Sequence, residues 1–587
     1  MSAVDAGGGE GAGRGSAVNV AEAVGTALAR LGADTVFGVV GSGNFHVTNA
    51  LVAAGARFVA ARHEGGAATM ADAYARVSGG LGVLSVHQGP GLTNALTGIT
   101  EAAKSRTPLL VLAGEVAAAA VRSNFRVDQA ALAAAVGAVP ERIHSPETAL
   151  ADVARACRTA VAERRTVLLG LPLDVQAAEH AGAAVPARDR ALRPPPVPPP
   201  GPAPARMSVP LLPDPSPTAV ARFADALAAA RRPVFVAGRG ARLAGAREPL
   251  RALAERCGAL LATSAVARGL FAGDPFDLDV SGGFATPTAA ELIAGADLLV
   301  GWGCSLNMWT LRHGNLVAKD ATVVQVDVDA RALGAHHPVD LSLIGDAAST
   351  AHAVEAELAS RGHAATGLRT PEVAARLAAR RRWRDHPYDE HPDAADGTRI
   401  DPRTLTIALD DLLPRERTVA VDSGNFMGYP AMFLDVPDAD GLVFTQAFQS
   451  VGLGLATAIG AAVARPDRLT VAALGDGGAL MGAAELETAV RLGLGLLVVV
   501  YDDEAYGAEV HHFGPDGHPL DAVRFPAADL AAIGRGYGCE AVTVRSPDDL
   551  AAVGAWLAGP RDRPLVVHAK VSRDRPAWWL EEAFRGH

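Results

Sequence analysis

The sequence predicts an α/β protein made of three tandem, doubly wound parallel-sheet domains. Two observations carry this. Short, continuously apolar runs rich in Val, Leu and Ala alternate along the chain with amphipathic, alanine-rich stretches, the pattern of strands buried on both faces and of the helices that cover them. Two breaks, one of them proline-rich, divide the 587 residues into three blocks of ordinary domain size.

The order of elements follows from these runs. Residues 1–16 are glycine-rich and polar, without the apolar core of a signal peptide, and are expected to be a disordered tail. In the first block (17–180) "DTVFGVVG", "ARFVAAR", "GLGVLSVHQG", "TPLLVLAGE" and "RTVLLGLP" read as strands. Residues 181–217 include "RPPPVPPPGPAPARMSVP", too proline-rich for a helix or central strand, and form a linker. The second block (218–376) offers "RPVFVAG", "GALLATSAVA", "ADLLVGWG" and "ATVVQVDVD". A weaker linker spans 377–400. The third block (401–587) offers "RTVAVDSG", "LTVAALGD", "LGLLVVVYD" and "RPLVVHAK".

Composition excludes several classes of function. The formal charge of −11 is small for this length and no basic block stands out, so nucleic acid is not an expected partner. No apolar run approaches the ~20 residues a spanning helix needs, so no membrane role is expected. The four cysteines (Cys157, Cys257, Cys304 and Cys539) are scattered without a Cys-x-x-Cys. That disfavours a zinc knuckle or a disulfide framework and fits a reducing, cytoplasmic setting.

The chemistry concentrates in Leu469–Gly507, where two apolar strands each end in acid. "LTVAALG" ends at Asp476, "AAELETAVRL" supplies a crossover helix, and "LGLLVVVYD" ends at Asp502 and Asp503. Ligands of open parallel sheets bind at the carboxyl ends of the strands. If these two strands are neighbours, about 5 Å apart, both carboxylates can reach one hard cation. Gly475, Gly477 and Gly478 around Asp476 let backbone N–H groups approach an anion at the start of a helix. Carboxylates with backbone oxygen suit magnesium or calcium, and magnesium commonly bridges protein to diphosphate. A plain turn followed by a capped element is the competing reading of the same residues.

The run "GDGG", followed by "DD" and "AYG", resembles the thiamine-diphosphate motif, which begins Gly-Asp-Gly and ends Asn-Asn. The resemblance extends from about Ser16 to Lys570 and identifies the chain as a member of the acetolactate synthase and 2-oxo acid decarboxylase superfamily. It implies a pyrimidine-binding first domain, a central Rossmann-like domain and a diphosphate-binding third domain. It also implies thiamine diphosphate and Mg2+ as cofactors, with Asp476, Asp503 and the backbone carbonyl of Ala505 as metal ligands. Tyr506 and Gly507 follow in the same motif. The sequence departs from the family at Asp502-Asp503, where Asn-Asn is usual. "VDSGNFMGYPA" resembles the turn under the diphosphate, with Ser423, Gly424, Asn425 and Phe426 in the contacting positions. In "QSVGLGLATAIG", Val451 takes the place of the bulky residue that bends the cofactor.

In "ARHEGGAATMADAYARVSG", Glu64 matches the family's glutamate that hydrogen-bonds the pyrimidine. An acid there also serves as an ordinary helix-start carboxylate, stabilising by ~0.3–1 kcal/mol. "SVHQGPGLTN" resembles the family's Gly-Pro-Gly-x-Thr-Asn loop near the pyrimidine, which would place His87 and Gln88 near the reacting carbon, and Gln129 of "SNFRVDQ" falls where synthases carry a Phe-Gln pair. "EVHHF" (Glu509–Phe513) is a candidate lid bearing His511 and His512. Relatives hold FAD, ADP or nothing in the middle block. Gly238-x-Gly240 alone is a short signal, so FAD is the minority expectation.

The function implied is decarboxylation of a small 2-oxo acid and ligation of the resulting carbanion to a second carbonyl, as in an acetolactate synthase. Alternatives are a decarboxylase that releases an aldehyde and an idle homologue kept as a binding or regulatory subunit. A plain NAD-linked enzyme would need a full Gly-x-Gly-x-x-Gly with an acid about 20 residues on, a set no block shows convincingly. Because Glu64 and Asp476 lie in different blocks, the resemblance also implies a homodimer or homotetramer with active sites between subunits.

Overall fold

The computed structural model describes residues 18–180, 213–389 and 398–583. The predicted tail at 1–16, nearly all of the proline-rich linker and part of the second linker lie outside them. Residues 371–385 of the described chain carry a helix (Pro371–Arg380) and a 3-10 turn (Trp383–Asp385). Three six-stranded sheets, parallel throughout and flanked by helices, form the α/β fold. The chain divides into two compact units, one holding the first sheet and the other holding the second and third.

The first sheet contains β1 (Thr35–Gly38), β2 (Arg57–Ala60), β3 (Gly82–Val86), β4 (Leu109–Glu115), β5 (Val139–Arg142) and β6 (Thr166–Pro172), ordered 2-1-3-4-6-5. The second contains β7 (Pro233–Ala237), β8 (Leu260–Thr263), β9 (Asp277–Val280), β10 (Leu298–Trp302), β11 (Thr322–Asp327) and β12 (Leu341–Ile344), ordered 12-11-10-7-8-9. That is the order of a dinucleotide-binding fold, the central Rossmann-like domain expected. The third contains β13 (Arg417–Val421), β14 (Leu442–Phe444), β15 (Leu469–Gly475), β16 (Leu496–Asp502), β17 (Glu540–Val544) and β18 (Leu565–Lys570), ordered 14-13-15-16-18-17. Counted from its own first strand, the third sheet repeats the order of the first.

The strands absent from the sequence reading are β5, β9, β12, β14 and β17, and all five lie at sheet edges. An edge strand covers less of the core and tolerates proline and charge. Thus "VPER" and "DLDV" lack the continuous apolar run that marks β4 or β16. Every residue of β16 is buried, and each large aliphatic side chain hidden there contributes ~1.5–3 kcal/mol. The helix Gly454–Ala464 is buried on nearly every side and packs against β13 and β15. Its small residues permit that approach, since a Cβ on Gly454 would lie 2.5 Å from Asp422 Cβ.

Within the second unit, buried Arg268 joins two sheets. It pairs with Asp279 at 3.0 Å and donates from Nη1 to the carbonyls of Ala431 and Leu434 at 2.7 and 2.9 Å. This bond set anchors the segment that follows the 423–426 turn. No helix among the described residues is long and apolar enough to cross a membrane. All four cysteines are buried and free.

Candidate active site

The third sheet reverses its direction of winding between β13 and β15, which are neighbours. A crevice forms at such a switch point, outside the carboxyl ends of the strands. Acids close three strands around it: Asp422 after β13, Asp476 after β15, and Asp502-Asp503 at the end of β16. β15 and β16 pair in parallel, with Gly475 opposite Tyr501, so the two acidic ends that stand out in the sequence do come together.

Asp476 opens a helix of only six residues, Asp476–Met481, and a second helix, Glu485–Arg491, completes the crossover. Burial raises the Asp476 carboxyl to about 8, with further contributions from the charges of Asp503 and Asp502. Asp503 is 8 % exposed. Burial raises it to about 6, against the hydrogen bonds it receives from Asn425 and the Ala505 N–H. Two carboxylates crowded in this way favour a cation between them.

Asn425 packs against Asp503. Its Nδ2 donates to Asp503 Oδ2 at 3.4 Å, while its Oδ1 is buried with no hydrogen-bond donor among the described residues. A Cβ on Gly507 would overlap Asp503 Oδ2 and lie 2.8 Å from Asn425 Nδ2, so the glycine keeps this space clear. The donor set is all oxygen, as Mg2+ and Ca2+ prefer. Among the described residues no three His, Cys, Asp or Glu side chains converge as a metal-holding group. A cation here would therefore draw on two carboxylates completed by amide or backbone oxygen. Ala505 sits in a short bridge to Arg524, held by Tyr506 N–H to Val523 O at 2.8 Å and Phe525 N–H to Glu504 O at 2.9 Å.

The neighbouring turn takes its shape from Gly424, at φ +144°, a conformation side chains rarely adopt. Phe426 stacks on Tyr501 with ring centroids 5.3 Å apart, and Tyr429 meets the buried Trp579 edge-on at 4.7 Å. The floor of the turn is therefore a rigid aromatic stack. Ser423 and Asn425 are only partly covered. Val451 is 39 % exposed, as a residue facing a ligand would be. Tyr506 packs on Phe525 at 4.8 Å and closely approaches the Cβ position of Gly477, at 3.0 Å.

Asp422 escaped the sequence reading. It accepts N–H bonds from Ser423 at 2.8 Å, Gly452 at 3.0 Å and Leu453 at 3.2 Å. It thereby pins the loop bearing Val451 to the end of β13. Burial raises it to about 6 despite those bonds. The available signal was an acid closing "RTVAV" just as Asp476 closes "LTVAALG". Asp502 also has a role of its own: it turns away from the crevice, to His568 Nε2 and Lys570 Nζ, each at 2.6 Å.

In the first unit, Glu64 begins the helix Glu64–Ser78 and accepts from Asn94 Nδ2 at 3.1 Å. His87 lies close enough to feel the Glu64 charge, but burial dominates and lowers its pKa below the usual imidazole range. The Gly43 N–H donates to His87 Nδ1 at 3.0 Å. Neutral His87 therefore carries its proton on Nε2, the nitrogen left to act outward. Gln88 points instead toward Gly43 and Gly114. Gln129 donates to Gly114 O at 2.6 Å. The Oε1 atoms of both glutamines are buried without a donor among the described residues. Thus Glu64, His87 and Asn94 gather together, while Gln88 and Gln129 are directed at Gly114.

The candidate lid "EVHHF" is helical. It lies in the helix Gly507–Phe513, with His512 edge-on to Phe513 at 4.6 Å. In the middle sheet, the Gly238 and Gly240 N–H groups donate to Trp302 O and Gly303 O, each at 2.9 Å.

Comparison with known proteins agrees with this geometry. Residues 18–135, 220–354 and 422–569 match, in order, the N-terminal TPP-binding, central and C-terminal TPP-binding domains of thiamine pyrophosphate enzymes. A probable 2-ketoarginine decarboxylase of Pseudomonas aeruginosa is 33 % identical over 89 % of this chain and 88 % of its own. An acetolactate synthase large subunit of Parasynechococcus marenigrum is 28 % identical over 94 % and 88 %. A sulfoacetaldehyde acetyltransferase of Castellaniella defragrans is 27 % identical over 88 % and 87 %. The chain belongs to the thiamine pyrophosphate enzymes, as an acetolactate synthase-like decarboxylase or carboligase.

Proposed function

We propose that the protein decarboxylates a 2-oxo acid with thiamine diphosphate and Mg2+ and ligates the resulting carbon nucleophile to a second carbonyl. The observation that supports it most is the carboxyl end of the third sheet, where the buried Asp476 and Asp503 crowd each other and Asn425 packs against Asp503. Asp476, Asp503 and the Ala505 carbonyl would hold the cation. The glycines at 475, 477, 478 and 507 and the turn Ser423–Phe426 would receive the diphosphate, and Val451 and Tyr506 would border the rings.

Thiamine diphosphate, when bound, supplies the carbon nucleophile and the electron sink for loss of carbon dioxide. The chain's own contribution is position and protonation. The Glu64 carboxylate, oriented by Asn94, is the hydrogen-bond partner proposed for the pyrimidine. His87 Nε2–H is the donor proposed for the substrate's oxygens. Gln129 acts behind it by holding the Gly114 carbonyl, and Gln88 fills the space between Gly43 and Gly114. Since Glu64 and Asp476 belong to different sheets, a homodimer or homotetramer with shared sites is the assembly proposed.

Release of an aldehyde is the second reading, favoured by the 33 % identity to a probable 2-ketoarginine decarboxylase. The test is carbon dioxide release and product analysis with pyruvate and with 2-ketoarginine, with and without a second carbonyl compound. A coupled hydroxyketone or hydroxy-oxo acid supports ligation, and aldehyde alone supports the second reading. No turnover of any 2-oxo acid contradicts both.

A further inference from the structure

The paired acids that break the family's Asn-Asn pattern are not equivalent. Asp502 is 2 % exposed and Lys570 lies directly opposite it in the β16–β18 register. Asp502 Oδ2 accepts from Lys570 Nζ and His568 Nε2, and its Oδ1 accepts the Glu504 N–H at 3.0 Å. A carboxylate only accepts, so His568 carries its proton on Nε2, and His568 Nδ1 is buried with no partner among the described residues. Lys570 also reaches Glu504 Oε1 at 3.1 Å, and Glu504 Oε2 accepts from Arg399 and Arg573, each at 2.7 Å. Glu504 itself sits at φ +59°, strained for a residue with a side chain. Ion pairs therefore grip the chain on both sides of Asp503.

We propose that Lys570 is a positioning residue for the cofactor site: it cancels the charge of Asp502 and, through Glu504, holds the strained turn that presents Asp503 and Ala505 to the cation. In this reading an amide at 502 needs no counter-charge, whereas an aspartate does, and this chain supplies Lys570 from the neighbouring strand. The inference rests on the thiamine diphosphate reading.

The test is calorimetric binding of thiamine diphosphate to the full chain at fixed Mg2+, with thermal midpoints measured in parallel. Lys570→Met should weaken binding by about tenfold or more, because an unpaired carboxylate is left buried beside the ligands. Asp502→Asn should stay within about threefold of the parent, and Asp502→Asn combined with Lys570→Met should bind clearly more tightly than Lys570→Met alone, the remaining deficit being the lost contact to Glu504. A merely structural lysine would lower affinity and midpoint equally in both Lys570→Met backgrounds, and that result overturns the proposal. So does a Lys570→Met variant that binds like the parent. If Lys570→Met does not fold, a double variant that folds and binds supports the proposal, and one that does not overturns it. If the parent itself takes up no cofactor, the functional reading falls and the proposal falls with it. A parent that binds beside an unaffected Lys570→Met removes the proposal alone.

Discussion

Asn425 donates to Asp503 from Nδ2 at 3.4 Å while its Oδ1, buried alongside, receives no hydrogen bond from the described residues. A buried amide oxygen left bare costs about 1–3 kcal/mol. Asp503, beside it, and Asp476 repel one another. A divalent cation answers both deficits.

Stability of the metal-free protein should fall as pH rises. The folded-state values of Asp422 and Asp503, about 6, and of Asp476, about 8, lie above the ordinary aspartate range. For a raised acid the protonated form favours the folded state. Its stability is fully present below the unfolded value of about 4 and is lost as pH climbs through the folded one. Thermal midpoints of chelator-treated protein should therefore decline between about pH 5 and 8. Saturating Mg2+ with thiamine diphosphate should flatten the decline, and Asp476→Asn should remove its upper part. A metal-free midpoint that rises over this interval contradicts the electrostatics described.

Gly507→Ala should weaken cofactor uptake in Mg2+ by about tenfold or more, because the new Cβ overlaps Asp503 Oδ2. Gly536→Ala is the control: a Cβ there meets nothing within 4 Å, so it should be neutral or stabilising by about 0.5–1 kcal/mol. Titration calorimetry and denaturant melts read the two effects. Equal affinities for both variants would show that the space beside Asp503 is not used.

Asp422→Ala should destabilise the fold by about 2–4 kcal/mol, because it strands the half-buried N–H of Gly452 and the buried N–H of Leu453. The freed Val451 loop should also lower cofactor affinity. Asp422→Asn, which keeps one accepting oxygen, should cost less. Urea unfolding of the three proteins ranks them, and an alanine variant as stable as the parent would remove Asp422 from the site's support.

Glu64→Gln should lower kcat with a 2-oxo acid by about a hundredfold or more while leaving the thermal midpoint and cofactor affinity near the parent. Its carboxylate accepts from Asn94, and an amide can occupy the same place. Unchanged kcat would reduce Glu64 to a helix-start acid.

The sequence made the core of each sheet legible because central strands must be apolar on both faces. β4 and β16 announce themselves for that reason, whereas β9, with two aspartates in four residues, does not. The pair Asp476/Asp503 was readable because strand, helix and strand are contiguous and the register of β15 and β16 brings their ends together. Asp502 and Lys570 were not readable as a pair, since they meet only through the β16–β18 register, 68 residues apart. The tautomer of His87 likewise depends on an amide 44 residues away, that of Gly43. Local pattern reveals which residues end a strand, and sheet topology decides what they face.

Titration calorimetry of thiamine diphosphate into the purified chain, once with Mg2+ and once with the metal removed by chelation, bears most directly on the whole account. Saturable uptake that requires Mg2+ and is abolished by Asp503→Ala is the result predicted. Absence of uptake in Mg2+, or uptake indifferent to both the metal and Asp503, would contradict it.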